Sequence, residues 1–521
     1  MAVVPTSPRP ESTAGVRLSQ LAATAGGMPV SGPDPLVTGA SVRGQDVRPG
    51  DLFAALPGAK VHGARFAGRA VGHGAVAVLT DAAGKESITE QLGDVARAIP
   101  VLVAEDPRRV LGPVAARIYG DPSHRLPIIG VTGTSGKTTT CFLLEAALAA
   151  QGMRTGLIGT VMTRIGAGRP DVAGTVLPSV FTTPEAPDLQ ALLAIMLGQG
   201  VQAVAMEVSS HALALGRVNG TRYAVGAFTN LSQDHLDFHP DMEDYFAAKA
   251  KLFDGRSAAA VFDIDDAYGR RLAAEHPDGV TVSATGRQQA TWRVTELTGM
   301  PSGRQRLRIA GPAGLELDAE LGIPGAFNVA NALAAIACVQ AAGFDPVAAA
   351  AAMSSVQVPG RMQRVDAGQD FLAVVDYAHK PAALAAVLDA VRANVPGRII
   401  AVIGAGGERD SGKRPLMGSE TACRADLVIV TDDNPRSEPP DAIRQAVLAG
   451  ARQAARRSGS RIEEIGDRRA AIRAAVAAAR EGDAVVIAGK GHEAGQEIGG
   501  IKHPFSDVEE LRQALLSAGA G

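Results

Sequence analysis

The segment most suited to chemistry is the glycine-rich stretch Gly130–Thr140, which reads GVTGTSGKTTT. An apolar run precedes it and a helix-compatible run follows, so backbone N–H groups and a helix N-terminus would face an anion. Lys137 would neutralise charge on the β- and γ-phosphates of a nucleotide, and the Thr138 hydroxyl would bind Mg²⁺. Val131 stands where a strict phosphate-loop motif has glycine, so the stretch is a shortened form. The predicted nucleotide contacts here are Gly133, Thr134, Ser135, Gly136, Lys137, Thr138 and Thr139.

Further candidate ligands lie downstream of this loop. In VQAVAMEVSSHALALGRV an apolar strand delivers Glu207 to its carboxyl end, where it could hold Mg²⁺. On its own, Glu207 would be interpreted as a surface carboxylate. Its occurrence together with the phosphate loop favours a role as a metal ligand instead. His235 and His239 stand among acidic residues, and from the pattern they are either metal ligands or parts of a hydrated structural loop. The pattern YFAAKAKLF is typical of an amphipathic helix, on which Lys249 is predicted to be exposed.

The elements that would position these groups are most legible in the last third of the chain. Four apolar runs alternate there with alanine-rich, helix-compatible segments: FLAVVDYA, RIIAVIGAGG, ADLVIVTDD and DAVVIAGKG. This alternation predicts βαβ units and a parallel sheet. Each run is followed by a polar loop, and such loops lie at the carboxyl edge of a parallel sheet, where ligands bind. Arg436 sits in one of these loops, directly after a turn.

Composition bounds the class of protein. The chain has 521 residues, which is too long for one core and predicts three domains. It is 46% hydrophobic and 20% charged with a net charge of -3, so nothing global indicates binding to nucleic acid or to an anionic membrane. Its three cysteines are far apart in sequence, which predicts neither a metal site nor a disulfide framework and favours a reducing compartment. The predicted segments are a disordered tail over 1–15 rather than a signal peptide, and domains over 16–125, 126–357 and 358–521.

Taken together, the motifs resemble those of the Mur ligase family, the ATP-dependent amide-forming enzymes of peptidoglycan precursor synthesis. Six motifs occur here in the same order along the chain as in that family: GTSGKTTT, EVSSHALALGR, NLSQDHLDFH, PGAFNVANALAA, VPGRMQRV and DYAHKP. The resemblance covers most of the chain. It implies an α/β fold of three domains: an N-terminal UDP-substrate-binding domain, a central P-loop-type ATPase domain with a mostly parallel sheet, and a C-terminal Rossmann-like domain that binds the amino acid.

The C-terminal motifs GGERDSGKRPLMG, TDDNPRSE and GKGHE resemble those of family members that add diaminopimelate. The implied reaction joins meso-2,6-diaminopimelate to the D-glutamate γ-carboxylate of UDP-MurNAc-L-Ala-D-Glu through an acyl phosphate. The implied cofactors are ATP and two Mg²⁺ ions. A cytoplasmic monomer that binds neither nucleic acid nor membrane is expected.

The resemblance also assigns roles to residues. Thr138 and Glu207 resemble ligands of the first metal and His235 a ligand of the second, while Lys249 aligns with a lysine that the family carbamylates. With Lys137, these form the implied catalytic set. Implied contacts to the nucleotide-peptide are Thr182, Thr183, Ser209 and Arg217. Implied contacts to adenine and ribose are Asn328, Asn331, Arg361 and Asp376. The implied amino-acid site comprises Arg409, Asp433, Asn434, Pro435, Arg436, Gly489 and Glu493.

Physical chemistry supports the role of Arg436. A guanidinium binds a carboxylate in a bidentate manner, and diaminopimelate carries a carboxylate that lysine lacks. Departures from the family pattern occur at Arg43, Gly44 and Gln45 on the uridine side, and at Leu215, Asp263 and Lys380. The alternatives are a lysine-adding ligase, a ligase resembling folylpolyglutamate synthetase, and a nucleotide-gated switch protein.

Overall fold

The computed structural model describes residues 8–27, 32–58, 60–93, 98–168, 174–300 and 304–519. Contacts between residues divide the chain into two compact units. The first unit comprises residues 1–292 and 333–349, and the second comprises residues 293–332 and 350–521. Among the described residues, no helix combines the length and the apolar composition that a membrane span requires.

The first unit begins with a small parallel sheet. A short antiparallel pair, β1 (Val16–Arg17) and β2 (Leu36–Val37), precedes it. The sheet itself has the spatial order β3 (Gly39–Ser41), β4 (Asp51–Ala54), β5 (Ala77–Thr80) and β6 (Val101–Val103). Its helices are α1 (Leu18–Thr24), α2 (Ala67–Gly72), α3 (Ala82–Leu92) and α4 (Pro107–Ile118). The strands β3, β4 and β5 are buried on both faces, and Leu21 of α1 and Leu111 of α4 share a core with Leu79 of β5.

Part of the predicted N-terminal tail is attached to this sheet. Arg9 Nη2 lies 3.3 Å from Asp51 Oδ2, and the Thr13 hydroxyl donates to the carbonyl of Thr38 at 2.6 Å. Residues 1–7 of the predicted tail lie outside the described residues. The division of the chain at residues 15, 125 and 357 stays a prediction.

A larger sheet follows in the first unit and positions the phosphate loop. Its strands are β7 (Ile128–Thr132), β8 (Thr155–Ile158), β9 (Thr163–Ala167), β10 (Thr175–Leu177), β11 (Ala203–Glu207), β12 (Tyr223–Phe228), β13 (Ser257–Asp263) and β14 (Val280–Ser283). The spatial order is β10-β9-β8-β11-β7-β12-β13-β14, and every pair from β8 to β14 that is described is parallel. Its helices are α5 (Lys137–Ala149), α6 (Ala186–Gly198), α7 (Ser210–Ala214), α8 (Met242–Ala250) and α9 (Ala267–Glu275). The central strand β7 therefore leads directly into the glycine-rich loop.

The second unit contains an antiparallel meander and a second parallel sheet. The meander consists of β15 (Trp292–Gly299), β16 (Gln305–Ala310) and β17 (Glu316–Leu321). The sheet consists of β18 (Gln363–Arg364), β19 (Leu372–Asp376), β20 (Ile399–Ile403), β21 (Leu427–Val430), β22 (Arg461–Glu464) and β23 (Ala484–Ala488) in the order β18-β19-β23-β20-β21-β22. A hairpin of β24 (Gly495–Ile498) and β25 (Ile501–Pro504) follows.

The remaining helices complete the description. They are α10 (Ala326–Ala341), α11 (Pro346–Ala352), α12 (Pro381–Arg392), α13 (Lys413–Ala422), α14 (Pro440–Ser458), α15 (Arg468–Ala478) and α16 (Asp507–Gly519). Single 3-10 turns occur at Gly44–Asp46, Gly63–Phe66, Pro122–His124, Lys251–Phe253, Pro312–Gly314 and Met353–Ser355. The predicted α/β class with mostly parallel sheets is confirmed, and the four predicted strands of the last third are β19, β20, β21 and β23.

Candidate active site

The phosphate loop is held open by its glycines and by the neighbouring strand end. Gly133 has a φ of 149°, and a Cβ atom there would lie 1.9 Å from Thr229 Oγ1. The Ser135 amide donates to Asn230 Oδ1 at 3.0 Å, and Thr229 Oγ1 donates to the Ser135 carbonyl at 2.7 Å. Gly136 has a φ of 89° and is the N-cap residue of α5, and as a glycine it has no side chain with which to cap the helix. The N–H groups in the first turn of α5 therefore suit a phosphate.

Two lysines converge on this loop. Lys137 Nζ donates to the carbonyl of Gly133 at 2.9 Å and to that of Thr134 at 3.0 Å. Lys249 Nζ donates to the same Gly133 carbonyl at 2.7 Å, and it lies 4.6 Å from the centroid of the Tyr245 ring. Only 1% of Lys249 is exposed, so the pattern-based expectation of an exposed lysine was wrong. Two cationic groups beside one carbonyl make the loop strongly attractive to anions.

Glu207 ends β11, where its register partner is Val131 of the adjacent β7, two residues before Gly133. It is 1% exposed, and its carboxylate accepts the Thr160 amide at 2.8 Å and the Thr160 hydroxyl at 3.0 Å. Thr138 lies in the first turn of α5 and is 6% exposed. A carboxylate and a hydroxyl at neighbouring strand and helix ends are the oxygen donors that Mg²⁺ prefers, so these residues fit the ion.

The two candidate histidines have different surroundings. His239 is buried between Asp244, 2.6 Å from its Nδ1, and Ser210, 3.0 Å from its Nε2, so it is a structural residue. His235 has a φ of 53°, and its Nε2 lies 3.3 Å from Asp234 Oδ2. Its ring centroid is 4.8 Å from that of His211, whose pKa is lowered by burial. Within the described residues, no group of three or more His, Cys, Asp or Glu side chains forms a ready metal site.

The four predicted contacts to the nucleotide-peptide gather around the end of β11. The Thr182 hydroxyl lies 3.0 Å from that of Thr160. The Thr183 hydroxyl donates to the Glu207 carbonyl at 2.9 Å and accepts the Ser209 amide at 3.0 Å. Arg217 joins this cluster through the Thr183 backbone, because its Nη1 lies 3.4 Å from the Thr183 carbonyl oxygen. Thr183 is fully buried, so it organises this cluster rather than facing solvent.

Arg217 is also the cation of a small surface cluster. Its Nε forms an ion pair with Glu185 at 2.9 Å, and its guanidinium carbon lies 4.8 Å from the centroid of the Phe181 ring. On the predicted uridine side, Arg43 pairs with Asp46 and, at 3.0 Å, with Asp188. Arg43 is therefore engaged in ion pairs within the chain.

The predicted adenine and ribose residues form two groups in the second unit. Asn328 Nδ2 donates to the Pro324 carbonyl at 2.7 Å, and Asn331 Nδ2 donates to Asn328 Oδ1 at 3.1 Å. Asp376 ends β19 and accepts the amides of Met362 and Ala378, each at 2.7 Å. Burial raises the pKa of Asp376 although the Arg361 guanidinium opposes this shift.

The arginine of this second group is stacked. The guanidinium carbon of Arg361 lies 4.3 Å from the centroid of the Tyr377 ring, and its Nε is buried without a hydrogen-bond partner among the described residues. Tyr377 follows Asp376 directly, so the stacking places Arg361 at the carboxyl end of β19.

The predicted amino-acid residues lie in loops after β20, β21 and β23, which are neighbours in the sheet. Lys490 is fully buried, and its Nζ donates to Asn434 Oδ1 at 2.8 Å and to Asp433 Oδ1 and Glu493 Oε2 at 3.3 Å each. Asn434 Nδ2 donates to Glu493 Oε2 at 2.9 Å. Gly489 has a φ of 119°, and a Cβ atom there would lie 2.7 Å from Asp433 Oδ2.

Arg436 is held by backbone contacts on two sides. Its Nη1 donates to the Gly407 carbonyl at 2.5 Å, and its Nε lies 3.5 Å from Glu497 Oε2. Its own N–H donates to the Glu497 carbonyl at 3.0 Å, and its carbonyl accepts the Gly499 amide at 2.7 Å. These bonds maintain a φ of 54°, which is uncommon for a side chain of this size. Pro435 precedes Arg436 in the same loop, and Arg409 is exposed in the loop after β20.

Three residues that contact predicted site residues within their own units were missed from the sequence: Thr160, Lys490 and Glu497. Lys490 had a usable signal, because a lysine between two glycines directly follows a buried strand. Thr160 and Glu497 had none, since their contacts come from distant segments.

The fold and the phosphate loop define a nucleotide-using enzyme of the α/β class. Family models match three parts of the chain: the Mur ligase middle domain over residues 131–339, the Mur ligase glutamate ligase domain over 360–491, and the Mur ligase family catalytic domain over 36–119. The chain belongs to the Mur ligase family, whose ATP-dependent members form amide bonds and thereby imply ATP and Mg²⁺ as cofactors.

Individual relatives are similar over nearly the whole length. The UDP-N-acetylmuramoyl-L-alanyl-D-glutamate–2,6-diaminopimelate ligase of Corynebacterium glutamicum is 54% identical over 470 residues, which cover 89% of this chain and 89% of the relative. The ligase of the same name from Corynebacterium efficiens is 50% identical, and the match covers 98% of this chain and 97% of that relative. A solved structure with that name is 33% identical and has a TM-score of 0.68, and the match covers 97% of this chain and 100% of the solved chain.

Proposed function

We propose that this Mur ligase joins meso-2,6-diaminopimelate to the γ-carboxylate of D-glutamate in UDP-MurNAc-L-Ala-D-Glu, with cleavage of ATP to ADP and phosphate. Relatives at 54% and 50% identity carry the name of this activity. The observation in this chain that carries the proposal is the placement of Arg436 and Glu493 in loops at one sheet edge. Glu493 accepts from Asn434, and Arg436 pairs with Glu497, whose amide donates to Asn434.

These two side chains match the feature that separates diaminopimelate from lysine. Both molecules have a distal ammonium, which Glu493 would accept, but only diaminopimelate has a distal carboxylate. Arg436 would bind that carboxylate through its guanidinium. With lysine bound, the guanidinium would lose this partner, so the same residue that accepts diaminopimelate would disfavour lysine.

The proposed reaction has two steps, and both concentrate negative charge. The D-glutamate carboxylate oxygen attacks the γ-phosphorus of ATP, forming an acyl phosphate as the bond to ADP breaks. An unprotonated amino group of diaminopimelate then attacks the acyl carbon and displaces phosphate, and the amine loses its proton. Lys137 and the N-terminus of α5 would stabilise the phosphoryl oxygens in the first step. The loop residues Gly133, Thr134, Ser135, Gly136, Thr138 and Thr139 would hold the nucleotide phosphates.

Thr138 and Glu207 would hold one Mg²⁺, and His235 with Lys249 would hold a second. When bound, Mg²⁺ supplies positive charge that reduces repulsion among the phosphate oxygens. Lys249 can serve as a ligand only after its charge is reversed. Its neutral amine would add to CO₂, forming an N–C bond and releasing a proton, and the resulting carbamate presents carboxylate-like oxygens. The buried position beside Lys137 supports this change, because a carbamate would turn repulsion between two cations into attraction.

Contacts to the other substrates are also proposed. Thr182, Thr183, Ser209 and Arg217 would form the nucleotide-peptide site, with Thr183 fixing the others. Asn328, Asn331, Arg361 and Asp376 would bind adenine and ribose. Arg409, Asp433, Asn434, Pro435 and Gly489 would complete the amino-acid site.

We further propose that the protein works as a monomer in the cytoplasm, where ATP and its UDP-linked substrate are dissolved. The net charge of -3 gives no support to binding of nucleic acid or membrane. In this proposal residues 16–125 bind the UDP substrate, residues 126–357 bind ATP and residues 358–521 bind the amino acid.

The proposal is tested by phosphate release from ATP with each substrate omitted in turn. Phosphate release is expected when UDP-MurNAc-L-Ala-D-Glu and meso-diaminopimelate are both present. It should be much weaker when L-lysine replaces diaminopimelate. Equal release with lysine would favour the lysine-adding alternative. Release with a folate substrate and glutamate would favour the folylpolyglutamate alternative, and phosphate release that needs no acceptor would contradict ligase activity.

A further inference from the structure

Lys490 is a fully buried lysine at the carboxyl end of β23. A buried ammonium is unfavourable unless it is paired and hydrogen-bonded. Its Nζ has three oxygen neighbours, Asn434 Oδ1 at 2.8 Å and the carboxylates of Asp433 and Glu493 at 3.3 Å each. Since an ammonium has three N–H donors, these three acceptors match its hydrogen-bonding capacity.

Through this contact Lys490 fixes the orientation of Asn434. Asn434 Oδ1 accepts from Lys490 and from the Glu497 amide at 3.0 Å, so the amide oxygen must face these two donors. The Nδ2 group is thereby directed to Glu493 Oε2 at 2.9 Å. Lys490 and Asn434 thus both donate to the same oxygen of Glu493.

The other oxygen of Glu493 is left available. Glu493 Oε1 accepts no hydrogen bond from the described residues, and the side chain is 34% exposed. Asp433 and Glu493 carry two negative charges and Lys490 carries one positive charge, so this group has one net negative charge. It therefore presents one open carboxylate oxygen, which suits one ammonium group.

We infer that Lys490 is a positioning residue that sets the affinity for the ammonium group of the incoming diamino acid, by holding the Glu493 carboxylate in one direction with one oxygen open. This inference rests on the proposed function. Without Lys490, Asp433 and Glu493 repel each other across a site that has lost its cation. The Glu493 carboxylate would then lose the contact that fixes its direction.

The primary test is the KM of Lys490→Met for meso-diaminopimelate, measured by phosphate release beside the KM for ATP. The expected result is a rise of at least about 30-fold in the KM for diaminopimelate, the scale for losing one partner of a buried charge pair, with the KM for ATP unchanged. Lys85→Met is the matched control, because Lys85 is an exposed lysine of α3 that contacts none of the site residues. It should leave both constants unchanged.

A double-mutant cycle separates positioning from general damage. If Lys490 acts through Glu493, Lys490→Met should raise the KM for diaminopimelate no further in a Glu493→Gln background than Glu493→Gln does alone. Additive effects in the two variants would overturn the inference. So would an unchanged KM for diaminopimelate in Lys490→Met, or equal losses for diaminopimelate and ATP.

A folding control keeps the test decisive. If Lys490→Met does not fold, the same constants are measured for Asp433→Asn/Lys490→Met, which restores one net negative charge, against Asp433→Asn alone. The same selective rise is expected, and its absence would overturn the inference. A wild-type protein that releases no phosphate with diaminopimelate would overturn the proposed function itself, whereas an active wild type with an unaffected Lys490 variant overturns only the inference.

Discussion

Lys137 and Lys249 donate to a single acceptor, the carbonyl oxygen of Gly133, at 2.9 and 2.7 Å. Two ammonium groups at one oxygen repel each other, and the proposed carbamate on Lys249 would remove that repulsion. The two lysines reach the loop differently, since Lys137 starts α5 and Lys249 lies in the last turn of α8.

The first prediction concerns Lys249. Lys249→Ala should lower phosphate release by roughly 10²-fold or more, the scale for losing one preorganised electrostatic group. Wild-type protein equilibrated with ¹³C-bicarbonate should show a carbamate NMR signal that Lys249→Ala lacks. Lys251→Ala, a change at a nearby exposed lysine, should keep both the signal and the activity. A carbamate signal that survives in Lys249→Ala would place the modification elsewhere.

The second prediction concerns Arg436. Arg436→Ala should raise the KM for meso-diaminopimelate by about 10- to 100-fold, as expected for 1–3 kcal/mol lost with a buried charged hydrogen bond, while the KM for ATP changes little. Arg461→Ala is the control, because the Arg461 side chain is 77% exposed. Comparable losses for the amino acid and for ATP would show that Arg436 is not a specificity residue.

The third prediction concerns Asp263, which ends β13. Burial raises its pKa to about 7, so the folded protein binds this proton more tightly than the unfolded chain does. The contribution of Asp263 to the free energy of unfolding is therefore greatest at low pH, and it is lost as pH rises from about 4 through 7. Asp263→Asn should raise the free energy of unfolding on the order of 1–3 kcal/mol at pH 8 and have little effect near pH 4.

Thermal melts at the two pH values would check the sign of this effect. Asp278→Asn, at an exposed aspartate, should change neither melt. Asp265→Asn should destabilise at pH 8, because the Asp265 carboxylate accepts the hydroxyls of Ser283 and Thr285 and the amides of Ala284 and Thr285. A stabilisation by Asp263→Asn that is larger at low pH would contradict the assignment.

The fourth prediction compares two adjacent arginines. Arg468 is fully buried, and it pairs with both oxygens of Asp507 at 2.7 Å and donates to the Ala488 carbonyl at 3.0 Å. Arg469 pairs with Glu510 at 2.6 and 2.7 Å, but its side chain is 48% exposed. Urea denaturation should show a loss of about 3–5 kcal/mol for Arg468→Met, which leaves a buried carboxylate unpaired. Arg469→Met should lose at most about 1 kcal/mol, and equal losses would contradict this distinction.

Much of the fold could be predicted because buried parallel strands are continuous apolar runs. β19, β20, β21 and β23 were predicted for this reason, as was the strand–loop–helix unit around Gly133. β22 was not, because its sequence RIEE is polar and lies at the sheet edge. The hairpin of β24 and β25 was missed because its strands are partly exposed and short, and they turn at Gly499 and Gly500.

The site was predicted less completely, because side-chain surroundings come from distant segments. The helical pattern placed Lys249 in solvent, but the Gly133 carbonyl and the Tyr245 ring enclose it. The sequence left the role of His239 open, and its contacts with Asp244 and Ser210 make it structural. Lys490 shows the same limit, since its partner Asn434 is 56 residues away in the chain.

The most direct test of the central claim is a competition between the two diamino acids. The protein is incubated with ATP, Mg²⁺, UDP-MurNAc-L-Ala-D-Glu and an equimolar mixture of meso-diaminopimelate and L-lysine, and the product is identified by mass spectrometry. The UDP-linked tripeptide should carry diaminopimelate in large excess over lysine. A product that carries mainly lysine, or no amide product while ATP is consumed, would contradict the account.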